Sequence, residues 1–140
     1  MPQASFERFV RAALDAQRAV GSTDDGMQVL TETRVYIGLN DAVTKTQKFD
    51  TERYISALKY VCTQYGVPFS FDVINGGYIH DNGEYTEERT ILLTFVDVDQ
   101  KTIDEIAVDL CDFFHQESVL ITTGNICARS VRGVFAERPE

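Results

Sequence analysis

The stretch that decides the fold is FSFDVINGGYIHDNGEYTEERTILLTFV, residues 69–96. Apolar and polar residues alternate on both sides of Asp81-Asn82-Gly83. Asn-Gly between two such runs is the strongest short-range signal of a β-hairpin. The pattern therefore predicts two antiparallel strands, near residues 69–80 and 84–97.

The register of this hairpin follows from its apolar residues. A two-residue Asn82-Gly83 turn would place the apolar residues of the two strands on opposite faces of the sheet. One extra residue in the first strand corrects this mismatch and aligns Phe69 with Phe95, Phe71 with Leu93, and Val73 with Ile91. We predict that a bulge at Gly76-Gly77 holds the extra residue, because glycine tolerates the dihedral angles that bulges use.

Further elements flank the hairpin on both sides. Residues 34–39 alternate as a strand does, and residues 119–123 predict a last strand. Between the first strand and the hairpin, a helix capped at Asp50 or Thr51 and ended by Gly66 has the apolar stripe Tyr54, Ile55, Leu58, Val61, Cys62 and Tyr65. After the hairpin, Thr102 and Glu105 have capping-box spacing for a helix with the stripe Ile103, Ile106, Ala107, Leu110, Phe113 and Phe114.

The order β-α-β-β-α-β is that of the ferredoxin-like α+β fold, with one antiparallel sheet and two helices on one of its faces. Residues 4–20 have helical spacing and add an N-terminal helix, so we expect residues 1–30 to be helix and linker. Residues 31–140 would form the ferredoxin-like domain with a short C-terminal tail. The sheet face away from the helices is too apolar to be left in water, so we expect helix 4–20 or a second subunit to cover it.

Composition and charge narrow the class of protein. The chain has 140 residues, no apolar run long enough to span a membrane, and three cysteines outside any C-x-x-C pair. These features predict one cytoplasmic domain with reduced thiols. The net charge is −9, and Val61–Glu117 holds 12 acidic residues against Arg89 and Lys101. Direct nucleic-acid binding is therefore not expected, because it needs an excess of Lys and Arg.

No pattern in the chain indicates a metal, a cofactor or a catalytic group. The two histidines, His80 and His115, have no neighbour at metal-ligand spacing, and the glycines form no phosphate-binding loop. Asp97 and Asp99 precede a helix, where a turn or an N-cap explains them. We therefore expect a protein that is not an enzyme and that holds no metal or cofactor.

The candidate ligand-binding residues are polar and aromatic. Aromatic rings stack on bases, amides hydrogen-bond base edges, and arginines bind phosphates with two parallel hydrogen bonds. Residues of these types near strand ends and after the last strand are Tyr36, Asn40, Asn75, Tyr78, Arg89, Arg129 and Arg132. They suit a nucleotide-like small molecule, although tyrosine and arginine are also common at dimer interfaces.

Three stretches resemble a family of small bacterial and phage proteins of uncharacterised function. They are VYIGL at 35–39, Glu87-Glu88-Arg89, and FFHQESVL at 113–120, where residues 114–119 have the family's F-x-Q-x-S-V motif. The size and strand order are also similar to those of the anti-Thoeris phage proteins. That resemblance implies sequestration of a cyclic ADP-ribose signal between subunits and a role in phage counter-defence.

Three functions are compatible with these observations. The first is a homo-oligomeric, non-enzymatic protein that sequesters a nucleotide-derived signal. The second is an inhibitor that uses an acidic helix surface around Asp104, Glu105, Asp109 and Asp112 against a basic, nucleic-acid-handling partner. The third is a dimeric ferredoxin-like enzyme with its reaction chamber on the open sheet face.

Overall fold

The computed structural model describes residues 26–134. In chain order the elements are β1 (Gln28–Gly38), α1 (Thr51–Tyr65), β2 (Ser70–Ile79), β3 (Tyr85–Val96), α2 (Gln100–Phe114) and β4 (Leu120–Ala128). The chain divides into two compact units: the larger is Thr31–Gly124, and the smaller includes the described residues 26–30 and 125–134. The predicted helix at residues 4–20 lies outside the described residues.

The four strands form one sheet in the order β2-β3-β1-β4, and β3 is antiparallel to both of its neighbours. The predicted β-α-β-β-α-β order of the ferredoxin-like fold is therefore confirmed. Two strands are longer than predicted. β1 begins at Gln28 instead of Arg34, and β4 continues to Ala128, into the region expected to be an irregular tail.

The core lies between one face of the sheet and the two helices. Alternate residues of β1 and β3 are fully buried there, as the period of a strand requires, while the residues between them lie on the opposite, open face. The helices contribute the buried residues of their apolar stripes, among them Leu58, Ile103, Ile106 and Leu110. Phe113 departs from the prediction because it is 57% exposed, whereas Phe114, which belongs to the same predicted stripe, is buried.

The hairpin register is confirmed, but the predicted bulge at Gly76-Gly77 is wrong. Phe71 pairs with Leu93 and Val73 with Ile91, and the pairing continues without interruption through both glycines to Ile79 and Tyr85. The extra residue lies in the turn. His80 pairs with Glu84 around the three-residue loop Asp81-Asn82-Gly83, and Gly83 has φ +85°. A three-residue loop that ends in a left-handed residue absorbs the offset without disturbing the ladder.

The helix ends follow local side-chain chemistry. α1 ends at Gly66, which adopts φ +66° as its C-cap. α2 begins earlier than the predicted capping box. Asp99 is its N-cap, and the Asp99 carboxylate accepts hydrogen bonds from both the backbone N–H and the hydroxyl of Thr102. Thr102 is therefore a partner of the cap and not the cap itself.

The loop conformation gives a first prediction. We expect Gly83→Ala to lower the free energy of unfolding by about 1 kcal/mol, because a Cβ makes φ +85° unfavourable. The melting temperature measured by circular dichroism should fall by roughly 4 °C. Gly124→Ala is the control, since an added Cβ there meets no atom within 4 Å and φ is not positive. Equal melting temperatures for the two variants would contradict this account of the turn.

Candidate functional site

Five of the seven residues predicted from sequence belong to the larger unit, and they do not share one face of its sheet. Tyr36 lies on the open face of the sheet, as the alternation of β1 requires, and Asn40 follows the end of that strand. Asn75 pairs with Arg89 on the helix side of the hairpin, where the Arg89 guanidinium donates to Thr51 Oγ1 over 3.3 Å. Of the others, Tyr78 pairs with Thr86 in the hairpin, while Arg129 and Arg132 are exposed in the smaller unit.

Asn40 alone among them lines a polar pocket, which we call the Glu88 pocket. It has a volume of about 200 Å³ and lies within the larger unit. Three segments supply its walls: the chain that leaves β1, the first half of β3, and the turn after α2. The lining residues are Asn40, Asp41, Ala42, Lys45, Glu88, Gln116, Glu117 and Ser118.

A close approach between two strands fixes the carboxylate of Glu88. Glu88 Oε2 accepts a hydrogen bond of 2.9 Å from the backbone N–H of Asn40. The carboxylate lies over Gly38, where a Cβ would overlap both of its oxygens. Gly38 is the last residue of β1, and glycine in a strand often marks such a close approach. Glu88 Oε1 forms no hydrogen bond within the described part of the chain.

Asp41 is the buried polar centre of the adjoining loop. One carboxylate oxygen accepts from the backbone N–H groups of Val43 and Thr44 at 2.8 and 3.1 Å. The other lies 2.6 Å from His115 Nδ1 and 3.3 Å from Lys48 Nζ. These donors, with the hydrogen bond to His115 the strongest, hold the pKa of Asp41 well below its usual range. Asp41 thus joins the loop after β1 to the end of α2.

The turn after α2 completes this connection. The backbone N–H of Ala42 donates to the carbonyl of His115 over 3.0 Å, and the Gln116 amide donates to the carbonyl of Asn40. Three non-glycine residues have positive φ in residues 26–134: Lys45 lines the pocket, His115 is the C-cap of α2 directly before the lining residue Gln116, and Asp97 lies elsewhere. Unfavourable backbone conformations of this kind cluster at binding and active sites.

The pocket mainly offers hydrogen-bond acceptors. Glu88, Glu117 and Asp41 contribute carboxylates, Lys45 is the one cationic side chain in the lining, and two amides and a hydroxyl complete it. Such a lining favours a ligand that carries donor groups or positive charge over one that presents a phosphate. Within residues 26–134, no three His, Cys, Asp or Glu side chains are grouped so that they could hold a metal ion.

Sequence reasoning missed most of this pocket. Glu88 is named from sequence only within the stretch Glu87-Glu88-Arg89, and Asp41 and Gln116 are not singled out. The usable signal was a glycine, Gly38, inside the apolar stretch 34–39. Asn40 and Asp41 follow this stretch directly. The three stretches that carry the family resemblance also meet here, since they contribute Gly38, Glu88 and the turn at residues 115–118.

The comparisons with known proteins concern the fold. A phage SAM lyase in complex with S-methyl-5′-thioadenosine is 16% identical, with 79% of this chain and 95% of that chain covered and a TM-score of 0.52. The same kind of enzyme in its apo state is 17% identical, with 71% and 89% covered and a TM-score of 0.51. B. subtilis GlnK in complex with ATP is 12% identical, with 75% of this chain and 85% of that chain covered and a TM-score of 0.48.

The two lyase structures support the ferredoxin-like architecture described above, and identities this low show the fold alone. No family model and no curated protein matches the chain. No helix within residues 26–134 is both long and apolar enough to cross a membrane.

The Asp41 contacts predict a specific pH dependence. We expect Asp41→Asn to lower the melting temperature by several degrees at pH 7, because the ionised carboxylate has charge-assisted bonds to His115 and Lys48. A lowered pKa in the folded state means that this contribution is present above pH ~4–5. It is lost as the pH falls through the ordinary aspartate pKa of about 3.9 toward the folded value.

Melting curves of both proteins between pH 7 and pH 3 provide the measurement. The difference in melting temperature between wild type and Asp41→Asn should become smaller as the pH falls. Asp81→Asn in the exposed hairpin turn is the matched control and should follow the wild type throughout. A difference in melting temperature that stays constant down to pH 3 would show that the charge of Asp41 does not stabilise the loop.

Proposed function

We propose that this protein binds a small nucleoside-derived molecule at the Glu88 pocket and releases it unchanged. The observation that carries the proposal is the carboxylate of Glu88, which the Asn40 N–H holds over Gly38 and whose second oxygen has no hydrogen-bond partner among residues 26–134. A charged acceptor fixed in this way is oriented before the ligand arrives, and such preorganisation lowers the cost of binding.

The chemistry of the lining indicates which part of a ligand the pocket would hold. Carboxylate and amide acceptors suit an amino group, such as that of adenine, or a cationic centre. The phage SAM lyase, whose fold this chain shares, is bound to S-methyl-5′-thioadenosine. Adenosyl compounds are therefore the first ligands to test.

The size of the pocket bears on assembly. Sites for drug-sized ligands usually measure about 300–1,000 Å³, whereas the Glu88 pocket measures about 200 Å³. It therefore holds one portion of a nucleoside and leaves the remainder exposed. A second subunit that covers this remainder would complete the site, in keeping with the homo-oligomer expected from the open sheet face.

Two groups that could take part in a reaction, the Cys62 thiol and the Asp41 carboxylate, are buried, and this supports the proposal of binding without reaction. Cys62 is fully buried, and desolvation raises the pKa of its thiol to about 11, so it does not act as a nucleophile. The carboxylate of Asp41 lies beneath His115 and Lys48 and contributes to the loop structure. Sequestration of a signal needs only affinity and a sufficient amount of protein.

Calorimetric titration with S-adenosylmethionine and S-methyl-5′-thioadenosine tests the binding site. We expect Glu88→Gln to weaken binding tenfold to a hundredfold, because it removes a charged acceptor worth about 1.5–3 kcal/mol. Gly38→Ala should have a similar effect, since the new Cβ displaces the Glu88 carboxylate. Glu87→Gln is the matched control, because this exposed neighbour lies on the other side of β3 and should bind as wild type does.

Two results would contradict the proposal in different ways. Unaltered affinity in both Glu88→Gln and Gly38→Ala would remove the pocket from the function. Recovery of less ligand than was added, with a product seen by mass spectrometry after incubation and denaturation, would instead show that the protein is an enzyme. Native mass spectrometry after exposure to cell extract reports the subunit number and the bound mass together.

The phosphate-bearing ligand predicted from sequence needs a separate test. Arg129 and Arg132 are exposed and suit phosphate chemically. If the signal is of the cyclic ADP-ribose type, alanine at either position should weaken its binding tenfold to a hundredfold, and lysine should restore only part of the loss. Affinity for S-methyl-5′-thioadenosine, which has no phosphate, should not change. Unaltered cyclic ADP-ribose affinity in both alanine variants would remove these arginines from the site.

A further inference from the structure

The outer face of α2 has charges where a helix does not favour them. Glu105 and Asp109 are four residues apart, and Asp109 and Asp112 are three apart, so like charges are neighbours on one face. Asp112 also lies in the last turn, where the helix dipole favours cations, and that turn contains no basic residue. This arrangement lowers the stability of the isolated helix.

Little within the described chain compensates these charges. The side chains of Asp104, Glu105 and Asp112 form no ion pair and accept no hydrogen bond from any residue in the range 26–134. Asp109 accepts a hydrogen bond of 2.7 Å from the hydroxyl of Tyr65, and this bond together with burial raises the pKa of Tyr65 to about 12. Tyr65 is neutral at physiological pH, and Lys101 is the one cationic side chain among the residues that line the groove with Asp104, Glu105 and Asp109, so the face keeps a net negative charge.

Apolar surface runs between these carboxylates. Val108 is 61% exposed and lines two grooves. One, of about 540 Å³, extends toward Tyr65, and the other, of about 440 Å³, lies between α2 and the residues Val119 and Ile121. Phe113 and Tyr60, both more than half exposed, extend the apolar surface with their rings 6.4 Å apart. Solvent-exposed apolar side chains grouped in this way are typical of interaction sites.

We propose that this face, defined by Asp104, Glu105, Val108, Asp109, Asp112 and Phe113, docks a cationic amphipathic segment of another protein. Apolar side chains of the segment would occupy the grooves beside Val108, and flanking lysines or arginines would pair with the carboxylates. Binding would then relieve the repulsion along α2 and bury the exposed valine and phenylalanine together. The proposal does not depend on the Glu88 pocket.

Charge complementarity selects this occupant among the alternatives. A second copy docked face to face would bring the same carboxylates together, and like charges across an interface are costly. Nucleic acids and anionic membranes are repelled for the same reason. A partner with positive charge beside an apolar stripe satisfies both features of the face.

The test uses a fluorescein-labelled 18-residue peptide of leucine and lysine with its leucines at helical spacing, followed by fluorescence anisotropy. The double variant Glu105→Gln/Asp112→Asn should bind it at least tenfold more weakly than wild type. Asp81→Asn/Glu84→Gln, which removes the same charge from the hairpin turn, should bind within twofold of wild type. The α2 variant should melt at or above the wild-type temperature, so misfolding cannot explain its loss of binding.

A second pair of variants tests the apolar part. Val108→Gln should weaken peptide binding severalfold without changing the net charge, whereas Ile79→Gln, at a residue that is 73% exposed in the hairpin, should not. Equal losses in both charge variants, or equal affinity for a scrambled peptide of the same composition, would overturn the proposal as non-specific attraction. Self-association in analytical ultracentrifugation that Val108→Gln abolishes would overturn it in favour of a second copy.

Discussion

The antiparallel pairing of β1 with β3 is the constraint on which both the core and the pocket depend. It places Val35 opposite Leu93 and Ile37 opposite Ile91, so that the same face of both strands is buried beneath the helices. The same register puts Gly38 opposite Thr90 and leaves Glu88 two residues further along, where its side chain reaches back over the glycine. A slip of one residue would expose the core side chains and carry Glu88 to the other face.

Much of the fold was predictable because its signals are local and periodic. The stripe of α1, its end at Gly66 and the apolar alternation of the hairpin each follow from neighbours in sequence. The bulge was mispredicted because two positions could absorb one extra residue, and both contain glycine. The choice depends on the backbone of Gly83, which adopts positive φ, and alternation of apolar residues carries no information about it.

The candidate site was less predictable because its residues are distant in sequence. Asn40, Glu88 and Gln116 come from three segments, and only the assembled sheet shows that they share a pocket. Sequence reasoning favoured Arg89 for its chemistry, but the pleat of β3 directs Arg89 toward α1 and its neighbour Glu88 toward Gly38. Adjacent residues of a strand therefore face different surroundings, and side-chain chemistry alone does not distinguish between them.

The contacts that close the Glu88 pocket have a consequence for the order of folding. The Asp41–His115 contact spans 74 residues and the Asn40–Gln116 contact spans 76. Contacts of such long range have a large loop-closure entropy cost and form only when the intervening chain is already compact. During synthesis, residue 116 must also have left the ribosome before the turn after α2 can complete the pocket. If the Glu88 pocket binds a ligand as proposed, that affinity is acquired only after most of the larger unit has been made, and a truncated or half-folded chain would not withdraw the ligand from solution.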